Sequence, residues 1–165
     1  MHIAIIGGSG FIGTRLTRRL LAAGHTVKIL DKQDSKYYPE LRVFADVRDI
    51  DSLEQGLSFN IDCVINLAAE HRDDVEPKSL YDEVNVDGVE NVCKVCSEYS
   101  IKKIIFTSSV AVYGFAPLNT SEMGAINYFN DYGRTKWLAE EKCRAWLNSD
   151  TNNLLTIIRP TVCFW

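Results

Sequence analysis

The sequence predicts an α/β protein built on a doubly wound parallel sheet of six strands, and three observations predict it. Short runs rich in β-branched residues alternate with longer stretches of helical period, a glycine cluster separates the first run from the first helical stretch, and an acidic residue closes the second run. At 165 residues the chain is expected to form one domain, residues 1–165, and a chain this long buries roughly 68–70% of its unfolded surface.

The elements follow in order. His2–Ile6 is a first strand, and residues 11–23 form a helix that sets Ile12, Leu16 and Leu20 on one face and stops at Gly24. Residues 26–30 and 41–45 are the second and third strands. Residues 51–57 read as a short helix with an Asp51/Glu54 cap, and residues 63–67 as the fourth strand. A long helix is expected over residues 79–99, a fifth strand at Lys103–Thr107, a helix over 132–147 and a sixth strand at Leu154–Ile158. Residues 114–131 carry no periodic pattern, and a loop of that length inside a compact domain is usually functional.

Composition narrows the partners. Eighteen basic against 22 acidic residues give a net charge of −4, which leaves no electrostatic footprint for nucleic acid or an anionic membrane. A small-molecule ligand is expected instead. The opening apolar run is too short for a signal peptide, and no stretch approaches a membrane span. The five cysteines are Cys63, Cys93, Cys96, Cys143 and Cys163, an odd number that fits reduced thiols and a cytoplasmic location better than a disulfide framework. Cys93 and Cys96 form a C-x-x-C pair. Together with Val89 and Val92 they follow the i, i+3, i+4, i+7 spacing of a buried helix face, so no metal site is expected.

Two clusters carry chemistry. Gly7, Gly10 and Gly13 lie between the first strand and the first helix, where glycine permits a tight turn and the close approach of a pyrophosphate to the helix N-terminus. Asp31, 18 residues after Gly13, supplies the carboxylate that accepts hydrogen bonds from ribose hydroxyls and repels a 2′-phosphate. The expected cofactor is therefore NAD rather than NADP, with Lys32 weakening the discrimination slightly. Tyr132 and Lys136 stand one helical turn apart. At about 6 Å and an effective dielectric of about 20, the ammonium favours the phenolate by roughly 2.8 kcal/mol, which draws a phenol toward use as a general base near neutral pH.

In combination these residues resemble the extended short-chain dehydrogenase/reductases, the NAD-dependent nucleotide-sugar epimerase and dehydratase group. Gly7, Gly10 and Gly13, with Phe11 and Ile12 between them, match its phosphate loop, Asp31 its ribose acid, and Asp46-Val47 its adenine contact. Leu67-Ala68-Ala69 matches the small-residue end of the fourth strand, and Asn85-Val86-Asp87-Gly88 the helix motif whose asparagine is expected to hydrogen-bond backbone. The run from Thr107 to Gly114 matches the motif of the fifth strand and makes Ser109 the third member of a catalytic set with Tyr132 and Lys136.

The resemblance implies a Rossmann fold that binds NAD, Leu67, Ala68, Ala69 and Asn85 lying near it, and a nucleotide-sugar substrate, a UDP-sugar above all. It also implies a homodimer formed through the helices of residues 79–99 and 132–147. Family dehydratases carry threonine, aspartate and glutamate where this chain has Ser109, Val110 and Ala111, so epimerase or dehydrogenase chemistry is expected rather than elimination of water. Asn66 replaces a histidine common in the group, and Trp165 stands where a glycine usually follows Arg159-Pro160. Relatives close the sugar pocket with a C-terminal lobe. The chain therefore reads as the cofactor half of a longer enzyme, expected to have weak or no activity alone, and the alternative reading is a non-catalytic NAD-binding module or an inactive fragment.

Overall fold

The computed structural model describes residues 1–58, 60–72 and 74–161. Cys163 and Trp165 lie outside the described residues. The six strands are β1 (His2–Ile6), β2 (Thr26–Asp31), β3 (Arg42–Phe44), β4 (Cys63–Asn66), β5 (Lys103–Thr107) and β6 (Leu154–Ile158). They form one parallel sheet in the order β3-β2-β1-β4-β5-β6, with Ile5 paired to Ile29 on one side and to Ile65 on the other. The strand order reverses between β1 and β4. In an open parallel sheet that reversal leaves a crevice at the carboxyl ends of the strands.

Both faces of the sheet are covered, which explains why its central strands read as continuous apolar runs. Ile3, Ile5, Val27, Ile29 and Ile65 face Leu16 and Leu20 of α1 (Phe11–Ala22). Ala4, Ile6, Val64, Ile104 and Phe106 point the other way, into the larger core. That core also holds Leu53 and Leu57 of α2 (Ile50–Leu57) and the inner faces of α4 (Gly88–Glu98) and α5 (Asp131–Ser149). The predicted face of Val89, Val92, Cys93 and Cys96 is buried there. Cys63, Cys93, Cys96 and Cys143 are free thiols, and burial pushes the Cys96 thiol up.

Several elements differ from the sequence expectation by a residue or two at their ends, and four departures have a clear local reason. The third strand is Arg42–Phe44 rather than 41–45, because Pro39–Leu41 close a single 3-10 turn with proline at its start. The second helix is capped by Asp49 and not by an Asp51/Glu54 pair: Asp49 keeps an extended backbone and its carboxylate accepts the Asp51 amide at 3.1 Å, whereas Asp51 is already helical. The helix expected over 79–99 is α3 (Ser79–Asp82), a π turn at Glu83–Asp87 and then α4. The extra residue of a π turn shifts the helical phase, and here Val84, Asn85 and Val86 are all buried. Asn130 caps α5 by accepting the Gly133 amide at 2.8 Å, so that helix starts one residue earlier than expected.

Candidate active site

A groove of about 1120 Å3 runs along the carboxyl ends of the strands. Its floor at the first crossover is the glycine turn. Gly7 sits at φ +75°, where an L side chain is strained, and a Cβ there would lie 2.8 Å from the Ala68 nitrogen. A Cβ on Gly13 would lie 2.4 Å from the Gly8 carbonyl oxygen, so this glycine lets α1 rest directly on the turn. Gly10 differs from both. The nearest protein atom to a Cβ built there is 3.5 Å away, so the protein itself does not require a glycine, and the space opens into the groove. Gly10 also caps α1 without a side-chain hydrogen bond, and no acidic residue stands in the first turn. The helix amino end keeps its partial positive charge for an anion.

Asp31 stands at the end of β2 and lines the groove beside Lys32. Its two carboxylate oxygens accept the Ser9 and Gln33 amides, each at 2.9 Å, which fixes the group's orientation and leaves further lone pairs for a ligand. Asp46 also lines the groove, but its carboxylate is engaged by Arg48, whose Nη2 lies 2.6 Å away. That guanidinium holds the Asp46 carboxyl below its usual range. Val47, Leu67, Ala68 and Ala69 line the middle of the groove. Asn66 is buried and accepts the Ala68 amide at 3.0 Å, shaping that wall from behind.

Asn85 is not part of the lining. Its side-chain oxygen accepts the Glu70 amide at 2.8 Å, and its amide nitrogen donates to the Glu70 carbonyl at 2.9 Å and to Thr135 Oγ1 at 3.0 Å. Asn85 thus holds the backbone of the groove wall from behind, the backbone role its motif suggested.

Ser109, Tyr132 and Lys136 all line the other end of the groove, although they come from two separate elements. Ser109 follows β5 in an extended conformation and caps the single 3-10 turn Val110–Tyr113, its Oγ accepting the Ala111 amide at 3.1 Å. That bond uses the oxygen as acceptor and leaves its proton for donation. Tyr132 and Lys136 project from the first two turns of α5. The helix is pressed against the serine turn, since a Cβ on Gly133 would lie 2.5 Å from the Ala111 carbonyl oxygen. Lys136 is 2% exposed and its Nζ lies 4.4 Å from the centre of the Phe106 ring. Burial pushes its ammonium down to about 8.

The groove also takes in residues the motifs did not mark, among them Gln33, Glu70, His71, Phe129 and Thr161. Most of them follow strands at their carboxyl ends. Only the general rule that ligands sit there points to them. Among the described residues no three His, Cys, Asp or Glu side chains group as metal ligands, and no helix is long and apolar enough to cross a membrane. A glycine turn at a helix amino end, an oriented carboxylate at the next strand and open space at Gly10 between them suit the pyrophosphate and ribose of a dinucleotide.

Comparison with known proteins agrees with this arrangement. The chain is 51% identical over 164 residues to the N-acetyl-alpha-D-glucosaminyl-diphospho-ditrans,octacis-undecaprenol 4-epimerase of Escherichia coli O157:H7, covering 99% of this chain and 49% of that protein. It is 32% identical over 160 residues to the UDP-glucose 4-epimerase of Lacticaseibacillus casei, covering 88% of this chain and 46% of the relative. Among solved structures, the UDP-glucose 4-epimerase of Thermus thermophilus in complex with NAD superimposes with a TM-score of 0.86 at 27% identity, over 96% of this chain and 54% of that one. The chain thus spans about half the length of these relatives. Residues 3–164 match the model of the NAD dependent epimerase/dehydratase family, and the chain belongs to that family.

Proposed function

We propose that this chain is the cofactor-binding and acid–base half of an NAD-dependent sugar 4-epimerase acting on a sugar carried by a diphosphate, a UDP-sugar in the first instance. The observation that carries the reading is that one groove unites the Gly7–Gly13 turn and Asp31 at one end with Ser109, Tyr132 and Lys136 at the other. Gly7, Gly10 and Gly13 with the amides of Phe11 and Ile12 hold the pyrophosphate, Asp31 the adenosine ribose, and Asp46, Val47, Leu67, Ala68 and Ala69 line the path between. When bound, NAD supplies a hydride acceptor that can return the hydride to the same carbon.

The chain's own residues do the proton work. Ser109 donates to the reacting sugar oxygen and orients it. Tyr132 takes that oxygen's proton as hydride leaves the carbon, then returns it after the sugar presents its opposite face, so protons and electrons balance over the cycle. Lys136 stabilises the phenolate between the two transfers. Four buried free thiols accord with a cytoplasmic setting.

A second carrier is favoured by one observation. The 51% identical relative is a 4-epimerase of a sugar diphosphate on a polyprenol, whereas the UDP-glucose 4-epimerase of Lacticaseibacillus casei is 32% identical. The test is to incubate this chain, at a concentration close to that of the substrate because turnover by the half alone is expected to be weak, with NAD and either UDP-N-acetylglucosamine or the polyprenyl diphosphate of N-acetylglucosamine, and to analyse the released sugar. Appearance of N-acetylgalactosamine from one carrier supports the reading and selects the carrier. Reduced nicotinamide that accumulates with no epimer would replace it by a simple dehydrogenase.

A further inference from the structure

We propose that Glu140 and Arg159 are positioning residues for the acid–base group, forming a buried brace that sets the Ser109 turn against the helix bearing Tyr132 and Lys136. The inference rests on the catalytic roles proposed above for those three residues.

Glu140 lies one turn beyond Lys136 on α5, and its side chain is wholly buried. A buried carboxylate survives only with partners. Arg159, which directly follows β6, supplies two: its Nε lies 2.8 Å from Oε1 and its Nη2 lies 2.5 Å from Oε2. Arg144 adds a third donor at 2.8 Å. Together they outweigh the cost of burial and hold the Glu140 carboxyl below its usual range. The Ser108 hydroxyl is buried near the same carboxylate, outside hydrogen-bond geometry, and favours its charged form as well.

Arg159 also faces the serine turn. Its Nη1 donates to the Tyr113 hydroxyl and, at 3.0 Å, to the Glu122 carbonyl, while the guanidinium packs 4.9 Å from the centre of the Tyr113 ring. Tyr113 is the last residue of the turn that Ser109 caps. The backbone runs in parallel with this link, because the Ser108 amide donates to the Ile158 carbonyl at 2.7 Å and the Val110 amide to the Pro160 carbonyl at 3.2 Å. Arg159 therefore stands beside Ser109 in the extended ladder and reaches over to α5 through Glu140. A shift of either partner changes where the serine lies relative to the tyrosine, and small misplacements of catalytic groups carry large rate losses.

The test uses two variants of this chain and two NMR readouts. Tyr113→Phe cuts the link to the turn without stranding a buried charge, and Glu140→Gln neutralises the brace at constant shape. Hydrogen exchange at the Ala111 amide, which is bonded to Ser109 Oγ, reports the turn, and exchange at Val64 and Ile65 reports the central sheet. The second readout is the titration midpoint of Lys136, faced by Glu140 and Cys143 of its own helix and by the Phe106 ring of β5.

Both variants are expected to speed exchange at Ala111 roughly tenfold while Val64 and Ile65 stay unchanged. Glu140→Gln alone is expected to lower the Lys136 midpoint. Wild-type values for both readouts in folded variants would overturn the proposal, as would acceleration at Ala111 only in step with the central sheet. If Glu140→Gln fails to fold, Tyr113→Phe decides. Loss of NAD binding by the unmodified chain would instead overturn the functional reading, so the two failures are distinct.

Discussion

Lys136→Met is expected to yield a protein that is more stable at neutral pH and, under the proposed function, to slow hydride transfer by an enzyme containing this half at least a hundredfold. The stability half follows from burial. The folded protein holds the Lys136 ammonium at about 8 against an ordinary 10.5. The difference corresponds to about 3 kcal/mol. Below pH 8 both folded and unfolded chains carry the proton, and the full cost of burying the charge is borne.

Between pH 8 and 10.5 the folded chain has released the proton while the unfolded chain retains it, so stability rises with pH across that window. Methionine fills similar space without a charge, and it forfeits the contact with Phe106 and the attraction to Glu140, the latter already contained in the lowered midpoint. The variant should therefore gain about 2 to 3 kcal/mol at pH 7, and the gain should vanish as pH approaches about 10.5. Urea unfolding of both proteins at several pH values checks this. A pH-independent gain would mean that the ammonium is not desolvated as described. The fold bears this cost at the site where the proposed chemistry needs a cation.

Gly13→Ala and Gly10→Ala are expected to part company. At Gly13 the new Cβ would meet backbone atoms of Gly8 at 2.4 to 2.6 Å, and neither the turn nor α1 can yield without opening the phosphate cradle. Overpacking of this kind costs about 1–3 kcal/mol, and NAD binding should be lost with it. At Gly10 the nearest protein atom is 3.5 Å from the new Cβ, so the melt without ligand should be unchanged. The methyl would occupy the ligand's space, and NAD should again fail to stabilise. Calorimetry of the two variants with and without NAD separates the cases. A Gly10→Ala protein that binds NAD normally would show that the pyrophosphate does not pass over this turn.

The contrast between these glycines shows what was legible in sequence. Their spacing between a strand and a helix points to the proposed phosphate turn, but that Gly7 and Gly13 answer packing while Gly10 answers space emerges only from three-dimensional neighbours. The strands were readable as short apolar runs because the central ones are buried on both faces, but their order in the sheet and the opposite facing of Ile3, Ile5 and Ala4, Ile6 emerge only from the fold. The π turn at Glu83–Asp87 was not, since a helical period does not announce an inserted residue. The Asp49 cap was missed because two acidic residues compete within three positions, and backbone conformation selects between them.

At the site, Ser109, Tyr132 and Lys136 were found through their motifs. Glu140 on α5 and Arg159 just after β6 are 19 positions apart in different parts of the fold, so nothing in their spacing marks them as a buried pair.

The most direct test of the central claim is the thermal melt of this chain alone, with saturating NAD and with saturating NADP. At about 100 times its dissociation constant a ligand contributes roughly 2.7 kcal/mol, which for a domain of this size raises the midpoint by about 5–10 °C. The groove, with the Asp31 carboxylate oriented by the Ser9 and Gln33 amides at the proposed ribose end, predicts that rise with NAD and little with NADP. A cooperative melt that neither cofactor moves would contradict the assignment of the groove as a dinucleotide site.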